Sequence, residues 1–315
     1  MRSFRTPTRL ALIAATALAA VTLAGCSSGS PAADGASTAA ASGSGQIAVV
    51  ASTDVWGDIA AQVGGDLVSV TSIIDDPSKD PHEYEADAQN QLALSKAAVV
   101  VENGGGYDDF VDTMLSSSKN TGATIVTAAT VSGYDLAPTT GAFNEHLWYD
   151  FPTVKKVVDQ LATSFAALDP AGASTFTANA AAYSTKLDGL IASEAELKSS
   201  FQGTGAAITE PVPLYLMDAS GLVDETPAEF SEAIEGGTDV APDVLAQTLA
   251  LFSAKQVKVL VYNEQTSGPQ TDAVLEAAKA GNVPVVPVTE TLPTGTSYLD
   301  WMSGNLAALK SALSQ

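Results

Sequence analysis

The sequence predicts an α/β fold of two halves, each a parallel sheet flanked by helices, and three observations predict it. Short apolar runs bounded by glycine, serine or proline alternate with helical-period stretches through residues 46–170, and the alternation resumes over 203–315. Between the halves, residues 173–201 carry apolar side chains at helical spacing, with no proline and one glycine. Three glutamates, Glu210, Glu264 and Glu290, each follow closely on a predicted strand. That is the edge at which parallel α/β sheets hold their ligands.

The chain opens with Arg2, Arg5 and Arg9 and an apolar run over 10–25 that closes on Leu23-Ala24-Gly25-Cys26. A basic start, a short apolar core and small residues at its end predict a signal peptide over 1–25. Sixteen residues fall short of the roughly 20 that span a bilayer, so a permanent transmembrane helix is disfavoured. Cys26 is the sole cysteine, which rules out an internal disulfide. Residues 26–45 are mostly Ser, Gly and Ala without periodicity, the composition of a flexible tether.

Folded structure is expected from Gln46. Strands are predicted at 47–50, 68–74, 97–101 and 123–126, with helices at about 54–62 and 86–94, from the Gly104–Gly106 turn to 115, and from Pro152 to 168. Gly104-Gly105-Gly106 lacks the lysine and spacing of a phosphate loop and reads as a turn. Residues 173–201 form either one helix of roughly 40 Å or two shorter ones kinked at Gly189. The second half is expected to hold strands at 206–209, 257–261 and 285–288, and helices at 211–220, 242–253, 270–280 and 298–313.

Acids outnumber bases by 36 to 14. Removing the three basic residues of the leader takes the formal net charge from −22 to −25. Such a chain repels nucleic acid and anionic bilayers, and its field favours cations.

Only two histidines occur, and both stand among acids and aromatics: His82 in Asp80-Pro81-His82-Glu83-Tyr84-Glu85, and His146 in Asn144-Glu145-His146-Leu147-Trp148-Tyr149-Asp150. His82 lies in an acidic loop just past a predicted strand, so the pair could share a metal ion.

These features resemble the metal-binding lipoproteins of bacterial ABC importers for manganese, zinc or iron. The likeness runs over about residues 46–313 and rests on Asp80-Pro81-His82-Glu83-Tyr84, His146-Leu147-Trp148-Tyr149-Asp150, the long central helix and Thr289-Glu290. Leu23-Ala24-Gly25-Cys26 likewise resembles a lipoprotein cleavage box, making Cys26 the lipid-bearing first residue of the mature chain. The resemblance implies a C-clamp: an N-terminal lobe over 46–170, a linking helix over 171–202 and a C-terminal lobe over 203–315. It implies His82, His146, Glu210 and Glu290 as ligands of one divalent ion, with Glu264 beside them. Where relatives usually carry an aspartate, Glu290 adds a methylene. Two imidazoles and two carboxylates would neutralise a divalent ion, and the absence of thiolate disfavours Cu(I). A carboxylate-rich set without a third histidine or a histidine-rich loop leans to Mn2+ over Zn2+. The implied partners are an ABC permease and its ATPase, reached by a monomer anchored to the membrane outside the cytoplasm and binding no nucleic acid.

Two other functions are open to the chain, the first of which would use the same histidines. A zinc metallohydrolase would need a coordination position open to water, and four protein ligands close a tetrahedral site. His82-Glu83 also lacks the second histidine of the zincin pattern, since residue 86 is alanine. A surface adhesin would bind its partner independently of the histidines.

Overall fold

A computed structural model of the chain describes residues 45–76, 84 and 87–315. The leader, Cys26, nearly all of the tether and His82 lie outside the described residues.

Two four-stranded sheets, parallel throughout, organise the fold. The first has strands β1 (Ile47–Thr53), β2 (Val68–Ile74), β3 (Val99–Glu102) and β4 (Thr124–Thr127) in the order β2-β1-β3-β4. The second has β5 (Gly205–Ile208), β6 (Val223–Asp224), β7 (Leu260–Asn263) and β8 (Val285–Val288) in the order β6-β5-β7-β8. Both orders reverse direction after their first strand, so each sheet has a switch point at its carboxyl edge, where side chains of different loops can converge.

The connecting helices are α1 (Asp54–Gly64), α2 (Ala88–Leu94), α3 (Phe110–Ser118), α4 (Ala128–Ser132) and α5 (Phe151–Leu168) in the first half. After α6 (Ala173–Phe201) come α7 (Leu214–Ala219), α8 (Ala228–Glu235), α9 (Pro242–Ser253), α10 (Pro269–Gly281) and α11 (Tyr298–Leu313). Two helices of the first half start on side-chain caps. Asp87 accepts from the amides of Gln89 and Asn90, and Asp150 accepts from Thr153, each relieving amides that lack an intrahelical partner. At the glycine run, φ is 71°, 72° and 102° at Gly104, Gly105 and Gly106. Side-chain-bearing residues avoid that region, so the run is a turn, closed by Asp108, which accepts from the amides of Asn103 and Gly104.

Helix α6 is continuous over 29 residues, or about 43 Å. Gly189 is exposed, and a Cβ there would meet nothing within 4 Å, so this glycine neither packs nor kinks the helix. The buried residues Phe176, Ala180, Tyr183, Leu187, Leu190, Glu194 and Leu197 alternate in steps of four and three, a seam along one face. That seam packs on α1 and α5 of the first half and on α7 and α11 of the second. One apolar core therefore runs from Val49 and Val101 through α6 to Ile208 and Val288. A common core makes rigid the line along which the lobes meet.

Hydrogen bonds also cross between the halves. Asp54 and Asp58 on α1 accept from the amides of Leu292 and Tyr298. The Tyr298 hydroxyl donates to the Trp148 carbonyl at 2.5 Å, and the Tyr149 hydroxyl to the Thr289 carbonyl at 2.9 Å.

The second half contains two elements that periodicity did not predict: the two-residue strand β6 and helix α8. The predicted strand over 257–261 sits three residues later, as Leu260–Asn263, and the helix expected over 211–220 is shortened to Leu214–Ala219. Pro211 and Pro213 lack amide protons and occupy a turn before it.

Candidate metal centre

His146 stands between α4 and α5, just before a 3-10 turn at Leu147–Tyr149, and its side chain is fully buried. Asn144 sets its orientation. The Asn144 side-chain oxygen lies 2.7 Å from Nδ1 and also accepts from the His146 amide at 3.2 Å. Because the Asn144 amide nitrogen donates to the Pro211 carbonyl, its oxygen must be the atom that faces the imidazole. An oxygen acceptor there requires a proton on Nδ1. In the neutral ring the lone pair then sits on Nε2. Trp148 and Tyr107 pack edge-on against the ring, with centroids 5.1 and 6.1 Å away.

Nε2 faces two carboxylates of the second half. Glu235 Oε1 is 3.3 Å away and Glu290 Oε2 is 3.9 Å away. Two donors bound to one ion through bonds of roughly 2.1 Å stand about 3.0–3.4 Å apart. The His146–Glu235 separation falls within that range, and Glu290 is half an ångström beyond it.

Glu210 follows β5 and Glu290 follows β8, and both are buried. They are tied together by Asn263, the last residue of β7. Its side-chain nitrogen lies 2.5 Å from Glu210 Oε2 and 3.0 Å from Glu290 Oε1. One neutral amide thus holds two acids side by side and engages one oxygen of each. Gln265 fixes the loop beneath them: its side-chain oxygen accepts from the Glu290 and Thr291 amides, and its nitrogen donates to the Thr291 hydroxyl. Glu264, expected beside the ligands, is exposed. Consecutive strand residues point to opposite faces, and Asn263, one position earlier, occupies the inward place.

Tyr107 comes from the turn after β3 and is buried. Burial, and next the Glu290 charge, hold its hydroxyl well above the ordinary tyrosine value, so it remains a donor beside the acids. A cavity of about 370 Å3 reaches this place from outside, lined by Glu145, Pro211, Asp224, Glu232 and Glu235 among others. Exposure falls inward, from 16% at Glu235 to 4% at Glu290 and none at His146.

The structure therefore brings His146, Glu210 and Glu290 to one region and adds Glu235, Asn263, Asn144 and Gln265. His82 is outside the described residues. Among the described residues alone, no three His, Cys, Asp or Glu side chains form a group that would hold an ion. Sequence reading could not reach Glu235, because α8 was not predicted. Asn144 was legible only as a neighbour of His146.

Two parallel α/β lobes on one long helix, with an imidazole and carboxylates meeting between them, define a solute-binding protein. The family model described as "Zinc-uptake complex component A periplasmic" matches residues 49–312, and the chain belongs to that family, the metal-binding substrate-binding proteins of ABC transporters. Manganese-binding lipoprotein MntA of Bacillus subtilis (strain 168) is 25% identical over 279 residues, 86% of each chain. MntA of Halalkalibacterium halodurans is 30% identical over 135 residues, covering 43% of this chain and 44% of that protein. Among solved structures, the periplasmic zinc-binding protein TroA from Treponema pallidum superposes with a TM-score of 0.72 at 19% identity, covering 85% of this chain and 99% of that one. A crystal structure of ZnuA gives 0.69 at 22% identity, covering 85% and 98%. These likenesses place the chain among transport components and not among enzymes.

Proposed function

We propose that this protein captures one divalent transition-metal ion outside the cytoplasm and delivers it to an ABC permease driven by a cytoplasmic ATPase. The cargo ion would be held by His82 and His146 from the first lobe and by Glu210 and Glu290 from the second. One observation carries the reading: a buried imidazole whose tautomer is set by Asn144 turns its Nε2 lone pair toward carboxylates. A lone pair and anions converging out of water repel one another, and a cation between them turns that repulsion into binding.

The binding domain would begin near residue 46, with lobes over 46–170 and 203–315 joined through 171–202. Cys26 would carry the lipid that keeps the protein at the membrane, a reading supported by the lipoprotein names of relatives such as MntA and PsaA of Streptococcus pneumoniae. Among cargo ions we favour Mn2+ over Zn2+, because hard carboxylate oxygens equal or outnumber imidazole nitrogens and no thiolate takes part. Bound-metal content of the purified protein, followed by competitive titration of the stripped protein with Mn2+ and Zn2+, tests this. One ion per chain with Mn2+ retained against equimolar Zn2+ is expected. A stripped protein that takes up neither ion refutes capture, and complete displacement of Mn2+ by Zn2+ refutes the preference.

A further inference from the structure

We infer that Glu235 is itself a ligand of the cargo ion, and the outermost of the ligands on the ion's way in. This rests on the metal-capture reading and adds a donor to the expected set of two histidines and two glutamates. Glu235 Oε1 stands 3.3 Å from His146 Nε2, closer than Glu290 Oε2 at 3.9 Å. That separation is what two donors on one ion would show at bond lengths of about 2.1 Å.

Its position in the fold supports the role. Glu235 is the last residue of α8, so its side chain is carried at a helix end with the chain turning away at Gly236 and Gly237. It lies on the cavity wall with Glu145, Asp224 and Glu232, yet it also touches the fully buried imidazole. No other residue of that lining makes a described ion pair with His146. Of these three groups, a cation drawn into the acidic cavity would reach Glu235 first, then Glu290 and the His146 Nε2, in order of falling exposure.

The amide tether on the other two acids gives the extra ligand a reason. Asn263 engages one oxygen of Glu210 and one of Glu290, so each meets the ion with half of its carboxylate already in a hydrogen bond. A third carboxylate restores oxygen donors and raises the number of ligands above four. Ions that accept five or six hard donors gain from this, and tetrahedral Zn2+ gains less.

The test uses the purified protein and its Glu235→Gln, Glu235→His and Glu232→Gln variants, stripped of metal and titrated with Mn2+, Zn2+ and the spectroscopic probe Co2+. Thermal melts of the stripped proteins confirm folding. Glu235→Gln is expected to weaken Mn2+ binding about 10- to 100-fold and to alter the visible Co2+ spectrum, whose intensity rises as coordination number falls. Glu235→His, which restores a donor of softer character, is expected to recover Zn2+ binding but not Mn2+. Glu232→Gln removes the same charge from the same cavity and should leave the Co2+ spectrum unchanged. If Glu235→Gln keeps the wild-type spectrum, or if Glu232→Gln loses as much affinity, Glu235 acts only through its field or as a salt-bridge partner and the inference fails. Failure of metal capture altogether would instead appear in the wild type, which would bind none of the three ions.

Discussion

Replacing Asn263 by leucine should make the stripped protein lean on its cargo for stability. The Asn263 nitrogen is 2.5 Å from one glutamate oxygen and 3.0 Å from the other, so those oxygens are at most about 5.5 Å apart. Two unit charges near 5 Å repel by about 3 kcal/mol at an effective dielectric of 20. Each hydrogen bond to a charged acceptor contributes about 1.5–3 kcal/mol. Leucine removes both donors and keeps the volume. After the carboxylates shift apart, a net loss of about 2–4 kcal/mol remains. At about 2 °C per kcal/mol for a chain of this size, the stripped variant should melt about 4–8 °C below wild type. A bound divalent cation screens the same pair of charges, so most of the deficit should vanish in the loaded protein. The rise in melting temperature on adding Mn2+ must therefore be larger in Asn263→Leu than in wild type. Differential scanning calorimetry of stripped and loaded proteins measures both. A stripped variant that melts within about 1 °C of wild type, or that gains no more from metal, refutes the view that this amide restrains two charged ligands.

Two further perturbations follow from the geometry. Asn144→Ala removes the oxygen that holds a proton on Nδ1 of His146, and metal affinity measured by isothermal titration should fall about 10- to 100-fold; unchanged affinity would show that the ring needs no such orientation. Glu194 lies in the buried seam of α6, where burial, and next the Asp150 charge, push its carboxyl from an ordinary 4.5 up to about 8. The folded state holds that proton more tightly than the unfolded chain does, so stability falls as pH rises from about 4.5 to about 8 and levels off above. Glu194→Gln should match wild type near pH 4 and melt higher than wild type at pH 8.5. Asp54 and Glu102, raised to about 6 and about 7 by burial, keep a weaker slope of the same sign in the variant. Parallel pH profiles for the two proteins would show that Glu194 does not titrate in that window.

Much of this architecture was legible along the chain, for a local reason. Strands at 68–74 and 285–288 and helices at 242–253 and 298–313 lie where apolar period puts them, because each burial pattern is written within one turn or one pleat. The long helix was visible as apolar residues at helical spacing, with a kink at Gly189 left open, and in the structure its buried seam packs on both lobes and the helix runs unbroken. The two-residue strand β6 and the eight-residue helix α8 were too short or too weakly patterned to stand out, and sheet pairing and core contacts specify them instead.

By itself the sequence determined the acidic field, the α/β alternation and the placing of Glu210 and Glu290 just past strands. It also singled out His82 and His146 by the scarcity of histidine. Tertiary structure alone decided who meets whom: Glu235 against His146, Asn263 between two glutamates with Glu264 left outside, and Asn144 fixing the ring from two residues away. The reason is geometric. Periodicity records which face of an element is buried, but the meeting of side chains from separate elements depends on how sheets and helices pack, and no local pattern encodes that distance.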